Sequence, residues 1–542
     1  MRAFTDVSLP FLDIPPLPRG RDRTWAHSYT MTGDGSRPYS GGLYYKLIIF
    51  GGFPRFLRQR SGQFHFVLVI LKQVVSNTQT CHFRRFLAER TGCPMVKKRT
   101  KGKTVLVLGG GIAGLSVAYF LKYRNVPVTV YDAMDKPGGN CRTIRIRDFS
   151  FDTGAHRFHD KDPEITGQVK GLMGDELKRI SAPSKIFDDG RMLSFPLELR
   201  DVFISMDTSF MIRAGIDLLK SRCKRRGADD FESFAVSAYG RSMADRFLLN
   251  YSRKLWGIPC RELSREISGE RLKHMTLVTL LKHFISRRYA ENAHYEGDFY
   301  YPERGIGQLP EMMSARIGPE NIQLNSRVTG IFHNEKRLEG IGINGDALVN
   351  ASQVVSTLPV VDFIAMMRPA PPQDVLEAAK ALRFRNIRLA VFFIRGRGIN
   401  KAATMYFPAG RFIFTRGYEP KNRSGFMSPQ GMTSFVAEVP CFADDWAWRA
   451  DSHAFTTMVK EQVLETGLVR REDIVGCADE RIAHAYPVLE KDHREKMVTI
   501  SGYLSGFDNL EISGRSGLFK YLWIHNLVRE GRNIAGRVAV RM

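Results

Sequence analysis

Residues 105–121 read VLVLGGGIAGLSVAYFL, an apolar run that passes through a glycine loop into a pattern of helical period. TVLVL has the composition of a buried parallel strand, and the helical pattern runs from Ala113 to about Tyr123. A second strand, VPVTVYD, follows at once, so the unit is βαβ. Gly109, Gly111 and Gly114 stand in GxGxxG spacing where strand becomes helix. The first permits a tight turn, the second lets backbone approach a pyrophosphate, and the third allows helix to pack on strand. The helix amino terminus then offers unpaired N–H groups to the phosphates. Asp132 closes the second strand 21 residues after Gly111, placed to accept hydrogen bonds from an adenosine ribose. Together these features predict a dinucleotide site on a parallel sheet.

The chain has 542 residues and 43% hydrophobic content, enough for a large core and two or more domains. No apolar run approaches the roughly 20 residues that span a bilayer, and the amino terminus lacks a basic stretch followed by an apolar one. Cys81, Cys93, Cys141, Cys223, Cys260, Cys441 and Cys477 are scattered without a CxxC pair, which suits a reducing cytoplasm. His156 and His159 have no third ligand at zinc-like spacing, so a metal is not expected. No GxSxG elbow supports nucleophilic hydrolysis.

The formal net charge is +24. Residues 1–94 hold 13 Lys and Arg against 5 Asp and Glu, and KSRCKRRG (220–227) and KHFISRR (282–288) are the densest later runs. Solvated faces account for such runs most simply. Anion recruitment or a peripheral membrane contact is compatible with them, while sequence-specific nucleic-acid binding lacks any accompanying motif.

Beyond Asp132, PGGNCRT (137–143) sets Gly138, Gly139 and Arg142 where a second backbone approach and a cation could serve an extended pyrophosphate. Here the chain resembles the flavin amine oxidase superfamily, which includes protoporphyrinogen oxidases, carotenoid desaturases and UDP-galactopyranose mutases. The resemblance covers roughly residues 103–536. FDTGAHRFHDKDPEI (151–165) resembles the segment that passes the flavin ring. YSRKLWG (251–257), followed by GERL, and FTRGYEPK (414–421) look like mutase segments, which places Trp256, Arg271 and Arg416 at the substrate. YYPERGIGQLPEMM (300–313) and VVSTLP (354–359) look like the oxidase side, and AYPV (485–488) with SGRSGLFKY (513–521) resembles the segment that closes the flavin site.

The resemblance implies FAD as cofactor, held by Gly109, Gly111, Ala113, Gly114, Asp132, Gly138, Gly139, Arg142, Gly154, Val328, Gly514 and Arg515. It implies His156, Trp256, Arg271 and Arg416 as catalytic-site residues. The expected fold class is α/β, a Rossmann-type FAD-binding domain with an inserted mixed α+β substrate domain. The expected layout is an amino-terminal extension of unassigned role at 1–94, read as upstream of a start at Met95. Cofactor-domain segments follow at 101–165, 299–365 and 481–542, with substrate-domain segments at 166–298, mostly helical, and 366–480.

The leading function is an oxidoreductase whose flavin accepts a hydride from a small organic substrate and passes electrons to an unspecified acceptor. The substrate is anionic if the arginines serve it. The alternatives are a mutase-like nucleotide-sugar isomerase and a flavin-binding protein with a degenerate site. The last arises because LWIHNLV (522–528) stands where relatives carry polar groups, with Leu522 and Trp523 about where the mutases place a Tyr and an Asp.

Overall fold

In the computed structural model the described residues are 103–195, 197, 201, 205–223, 229–268, 298–345 and 347–542, with the short strands Ala26–Tyr29, Leu47–Phe50 and Lys97–Lys98. Residues 1–92 and 93–542 form separate units. In the first, the strands Ala26–Tyr29 and Leu47–Phe50 pair antiparallel.

The second unit is built on a five-stranded parallel sheet. Val105–Leu108 lies at its centre, flanked by Val128–Tyr131 and then Ile322–Gln323 on one side, and by Gln353–Ser356 and then Leu510–Ile512 on the other. In chain order this is 3-2-1-4-5, with the change of winding direction beside the central strand, where such sheets bind ligands. The period-2 alternation of the central strand serves both faces. Val105 and Val107 pack with the helices Ile112–Tyr123, Gln308–Ile317 and Ile524–Arg541. Leu106 and Leu108 pack on the other side with Val360–Met366, Gln373–Lys380 and His493–Leu504. A smaller five-stranded sheet, ordered 367–368, 328–333, 338–343, 347–350 and 97–98, shares that second core.

A seven-stranded mixed sheet makes the other half, ordered 191–195, 184–188, 404–406, 416–418, 432–441, 384–395 and 474–487. Its long strand Phe384–Arg395 is buried on both faces. Ile387, Leu389, Val391 and Phe393 enter one core, and Ala390, Phe392 and Ile394 the other.

The α/β class with an inserted mixed domain is as expected, but several local readings need correction. The segment 166–298 is not simply helical. It contributes the strands Leu177–Ser181, Ser184–Asp188 and Arg191–Phe195, the last two joined by a tight hairpin at Asp189 (φ 46°) and Gly190 (φ 80°). An Asp-Gly pair between apolar runs is a strong hairpin signal, masked here by the surrounding helical pattern. RFIFTR (411–416) has the composition of a strand, yet residues 411–415 are loop, because Phe412 and Phe414 fill the core while the backbone turns to other partners. The strand Ile474–Pro487 runs through the expected boundary at 481. The second half of KSRCKRRG and all of KHFISRR lie outside the described residues.

Candidate active site

The glycine loop is built as its spacing requires. A Cβ on Gly114 would collide with the Gly109 carbonyl oxygen, so the first helical turn sits directly on the loop. Gly109 has φ +105°, which favours glycine. The second glycine loop meets the first: Gly138 N–H donates to Gly110 O at 2.8 Å, and a Cβ on Gly111 would stand 3.8 Å from Gly139 Cα. The helix Ile112–Tyr123 starts at Gly111 with no side-chain cap and no acid in its first turn. An uncapped amino terminus over a glycine cradle suits the pyrophosphate of a dinucleotide. Ala113 and Gly514 adjoin it, a Cβ on Gly514 falling 3.4 Å from Ala113 Cβ.

Asp132 accepts from Gly110 N–H at 2.6 Å and from Met134 N–H at 2.7 Å, so it braces the glycine loop as well as facing the expected ribose. Burial raises its pKa against those two backbone bonds. Arg142 donates from Nε to Gly139 O at 2.9 Å and faces Glu480 at 3.7 Å. Val328 opens the strand Val328–His333, and its side chain belongs to the second core.

An open cleft brings together Asn140, Gly154, His156, Arg416, Tyr486 and Arg515, among others. Tyr406, Tyr521 and Trp523 add an aromatic wall. Arg416 and Glu438 are directly opposed on neighbouring antiparallel strands. Arg416 Nε donates to Glu438 Oε2 at 2.7 Å, and its Nη2 donates to the Tyr486 hydroxyl at 2.6 Å. Glu438 Oε1 accepts from Ala155 N–H at 2.6 Å. Tyr486 thus accepts from Arg416 and keeps its own proton to donate, and burial pushes its pKa up to about 12.

His156 is neutral. Burial, with the Arg515, Arg423 and Arg416 guanidiniums nearby, pushes its imidazole down to about 3. Its Nε2 is buried without a hydrogen-bond partner, an atom ready for a ligand's donor. Arg515 donates to Leu522 O at 2.7 Å and lies over the Tyr521 ring at 5.0 Å, and among the described residues no carboxylate pairs with it. Tyr486 and Tyr521 stack, ring centroids 5.8 Å apart. Trp523, in the segment that departs from the relatives, stands 5.2 Å from His159 and receives Lys161 Nζ over its ring at 4.2 Å.

Of the four residues expected at the chemistry, His156 and Arg416 line the cleft. Trp256 is 5% exposed and packs edge-on to Tyr486 at 6.1 Å, so it stands in the core behind the wall rather than in the cleft. Arg271 lies outside the described residues, as does GERL. His525 lies 6.0 Å from Trp523, with its imidazole pKa lowered by burial. Sequence reasoning passed over Glu438, Tyr486 and Tyr521. A single acid in the apolar strand MTSFVAEVPC was the available signal for Glu438, and the aromatics stand inside segments already singled out.

The doubly wound sheet, the interlocked glycine loops and the cleft shared with a second, mixed sheet define a two-domain dinucleotide-binding protein of the flavoenzyme fold. A family model described as flavin containing amine oxidoreductase matches residues 112–397, more than half of the chain, and the chain belongs to that family. It is 25% identical over 294 residues to protoporphyrinogen oxidase 1, chloroplastic, of Arabidopsis thaliana, covering 49% of this chain and 54% of that protein. It is 28% identical over 261 residues to coproporphyrinogen III oxidase of Staphylococcus aureus, covering 43% and 56%. The chain therefore spans about half the length of the curated relatives it matches. In structure it resembles reduced UDP-galactopyranose mutase, with TM-score 0.71, 19% identity, and coverage of 81% of this chain and 96% of that one.

Proposed function

We propose that the protein is an FAD-dependent oxidoreductase acting on a small organic substrate held in the cleft between the two sheets. When bound, FAD supplies the hydride acceptor. Gly109, Gly111, Gly138, Gly139 and the first turn of the helix Ile112–Tyr123 would hold its phosphates, with Asp132 toward the ribose. Gly154, His156 and Arg515 would border the reactive end. His156 accepts one hydrogen bond there at neutral pH, and Tyr486 donates one. The Tyr406, Tyr521 and Trp523 rings exclude water and favour an apolar or planar substrate.

The observation that carries the reading is the pairing of Arg416 with Glu438 and Tyr486. A diphosphate would need that guanidinium free, and here its charge is already balanced. Leu522 and Trp523, where the mutases carry a Tyr and an Asp, remove further polar groups from the same wall. Arg157 and Arg515 in the cleft, with the likeness to the mutase fold, favour the isomerase as second reading. Cys141, Cys260, Cys441 and Cys477 are free, which supports a reducing, cytoplasmic setting.

The test is the visible spectrum of the purified protein, followed by anaerobic addition of candidate reductants and, separately, UDP-galactopyranose with dithionite. Substrate-driven bleaching of bound flavin, with recovery on an electron acceptor, supports the oxidoreductase. Sugar interconversion under reduction only would replace it with the isomerase, and a colourless protein that takes up no FAD would refute both.

A further inference from the structure

The helix Thr208–Cys223 carries two apolar faces where one suffices for folding. Phe210, Met211 and Ala214 pack inward with Met206, Tyr239 and Met243. Asp217 also turns to that side, accepting from Ser242 N–H at 3.0 Å and from its hydroxyl at 2.5 Å. The other face presents Ile212, Ile216 and Leu219, exposed by 59%, 46% and 66%. At about 100° per residue these three fall in one stripe roughly 60° wide. Arg213 and Lys220, both exposed, border it. The sequence then continues the charge through KSRCKRRG, so that residues 208–227 hold six Lys and Arg against Asp217 alone.

We propose that this helix is the surface by which the protein lies on an anionic lipid bilayer. Ile212, Ile216 and Leu219 enter the boundary between headgroups and acyl chains. Arg213 and Lys220 meet the anionic headgroups, their aliphatic stems lying along the apolar stripe. The charge decides the occupant. A second copy of the chain would bring two basic faces together, and a nucleic acid would leave the stripe in water. Among the described residues no helix is long and apolar enough to cross a membrane, which fits a helix that rests in the interface.

The test is co-sedimentation of the full chain, loaded with FAD, with vesicles of phosphatidylcholine alone or with about one-third phosphatidylserine. Binding should be at least about tenfold tighter to the anionic vesicles and weaken with salt. The Ile212→Ser/Ile216→Ser/Leu219→Ser variant should lose about tenfold or more at unchanged melting temperature, since all three side chains are exposed. Arg213→Glu/Lys220→Glu should abolish the preference for anionic lipid. Absence of vesicle binding, or binding that neither variant changes, would overturn the proposal. So would stripe-dependent dimerisation without lipid binding.

Discussion

Gly111 and Gly114 stand three residues apart under different constraints. A Cβ at Gly114 meets the Gly109 carbonyl oxygen, whereas one at Gly111 finds nothing nearer than Gly139 Cα at 3.8 Å. Gly111 also has φ −75°, open to any residue. Gly114→Ala should therefore destabilise the protein by about 1–3 kcal/mol through overpacking, read as a fall in melting temperature. Gly111→Ala should keep the fold and lose FAD, read as bound flavin absorbance, because its methyl would occupy the approach of the pyrophosphate. Arg416 gives a second contrast. Glu438 is 1% exposed, so Arg416→Met strands a buried carboxylate and should cost about 3–5 kcal/mol in denaturant unfolding, far more than loss of a surface anion-binding arginine. His156 sets a pH dependence. Its folded pKa is about 3 against 6.5 in the unfolded chain, so between those values the unfolded state binds more protons. Stability is then fully present above pH 6.5 and falls as pH drops through the window, at up to about 1.4 kcal/mol per unit. In the FAD-free protein His156→Gln should flatten that part of the melting-temperature profile.

Elements were legible in proportion to how locally they are specified. The first βαβ, with its glycines and acid, could be read directly, because strand, turn and helix each carry their own signal within residues 105–132. Lys254 could not. On the sequence it is a basic residue of the helix Asn250–Trp256, yet its Nζ lies within hydrogen-bond reach of four carbonyl oxygens of one loop, Phe407 at 2.6 Å, Ala409 and Phe412 at 2.9 Å and Phe414 at 3.0 Å. Those oxygens converge only after the fold has formed, and they explain why 411–415 left the strand its composition suggested. Lys254→Met should cost about 3 kcal/mol and make the 407–414 loop a site of limited proteolysis, since several buried carbonyls lose their donor. Trp256, two residues on, shows the opposite limit: a motif placed it at the substrate, and packing placed it behind Tyr486.

Across the molecule, the sequence pattern indicated that the cofactor domain is visited more than once, but not the 3-2-1-4-5 strand order, which depends on pairings between segments hundreds of residues apart. Because residues 1–92 form a unit apart from 93–542, a chain beginning at Cys93 should bind FAD with unchanged stoichiometry and show the same flavin-linked melting transition. Saturating FAD at about 100 times its dissociation constant should raise stability by about 2.7 kcal/mol in that chain.

The parallel sheet receives its fifth strand at Leu510–Ile512, and the helix Ile524–Arg541 seals one of its faces against Ile112–Tyr123, where a Cβ on Gly531 would clash with Ser116. The loop that opens the fold is thus completed by elements made long after it along the chain. At about 5–20 residues per second, a nascent chain waits many seconds between making its glycine cradle and making the elements that secure it. During that interval the apolar side of the first helix is uncovered, so stable cofactor loading should follow synthesis of Ile524–Arg541.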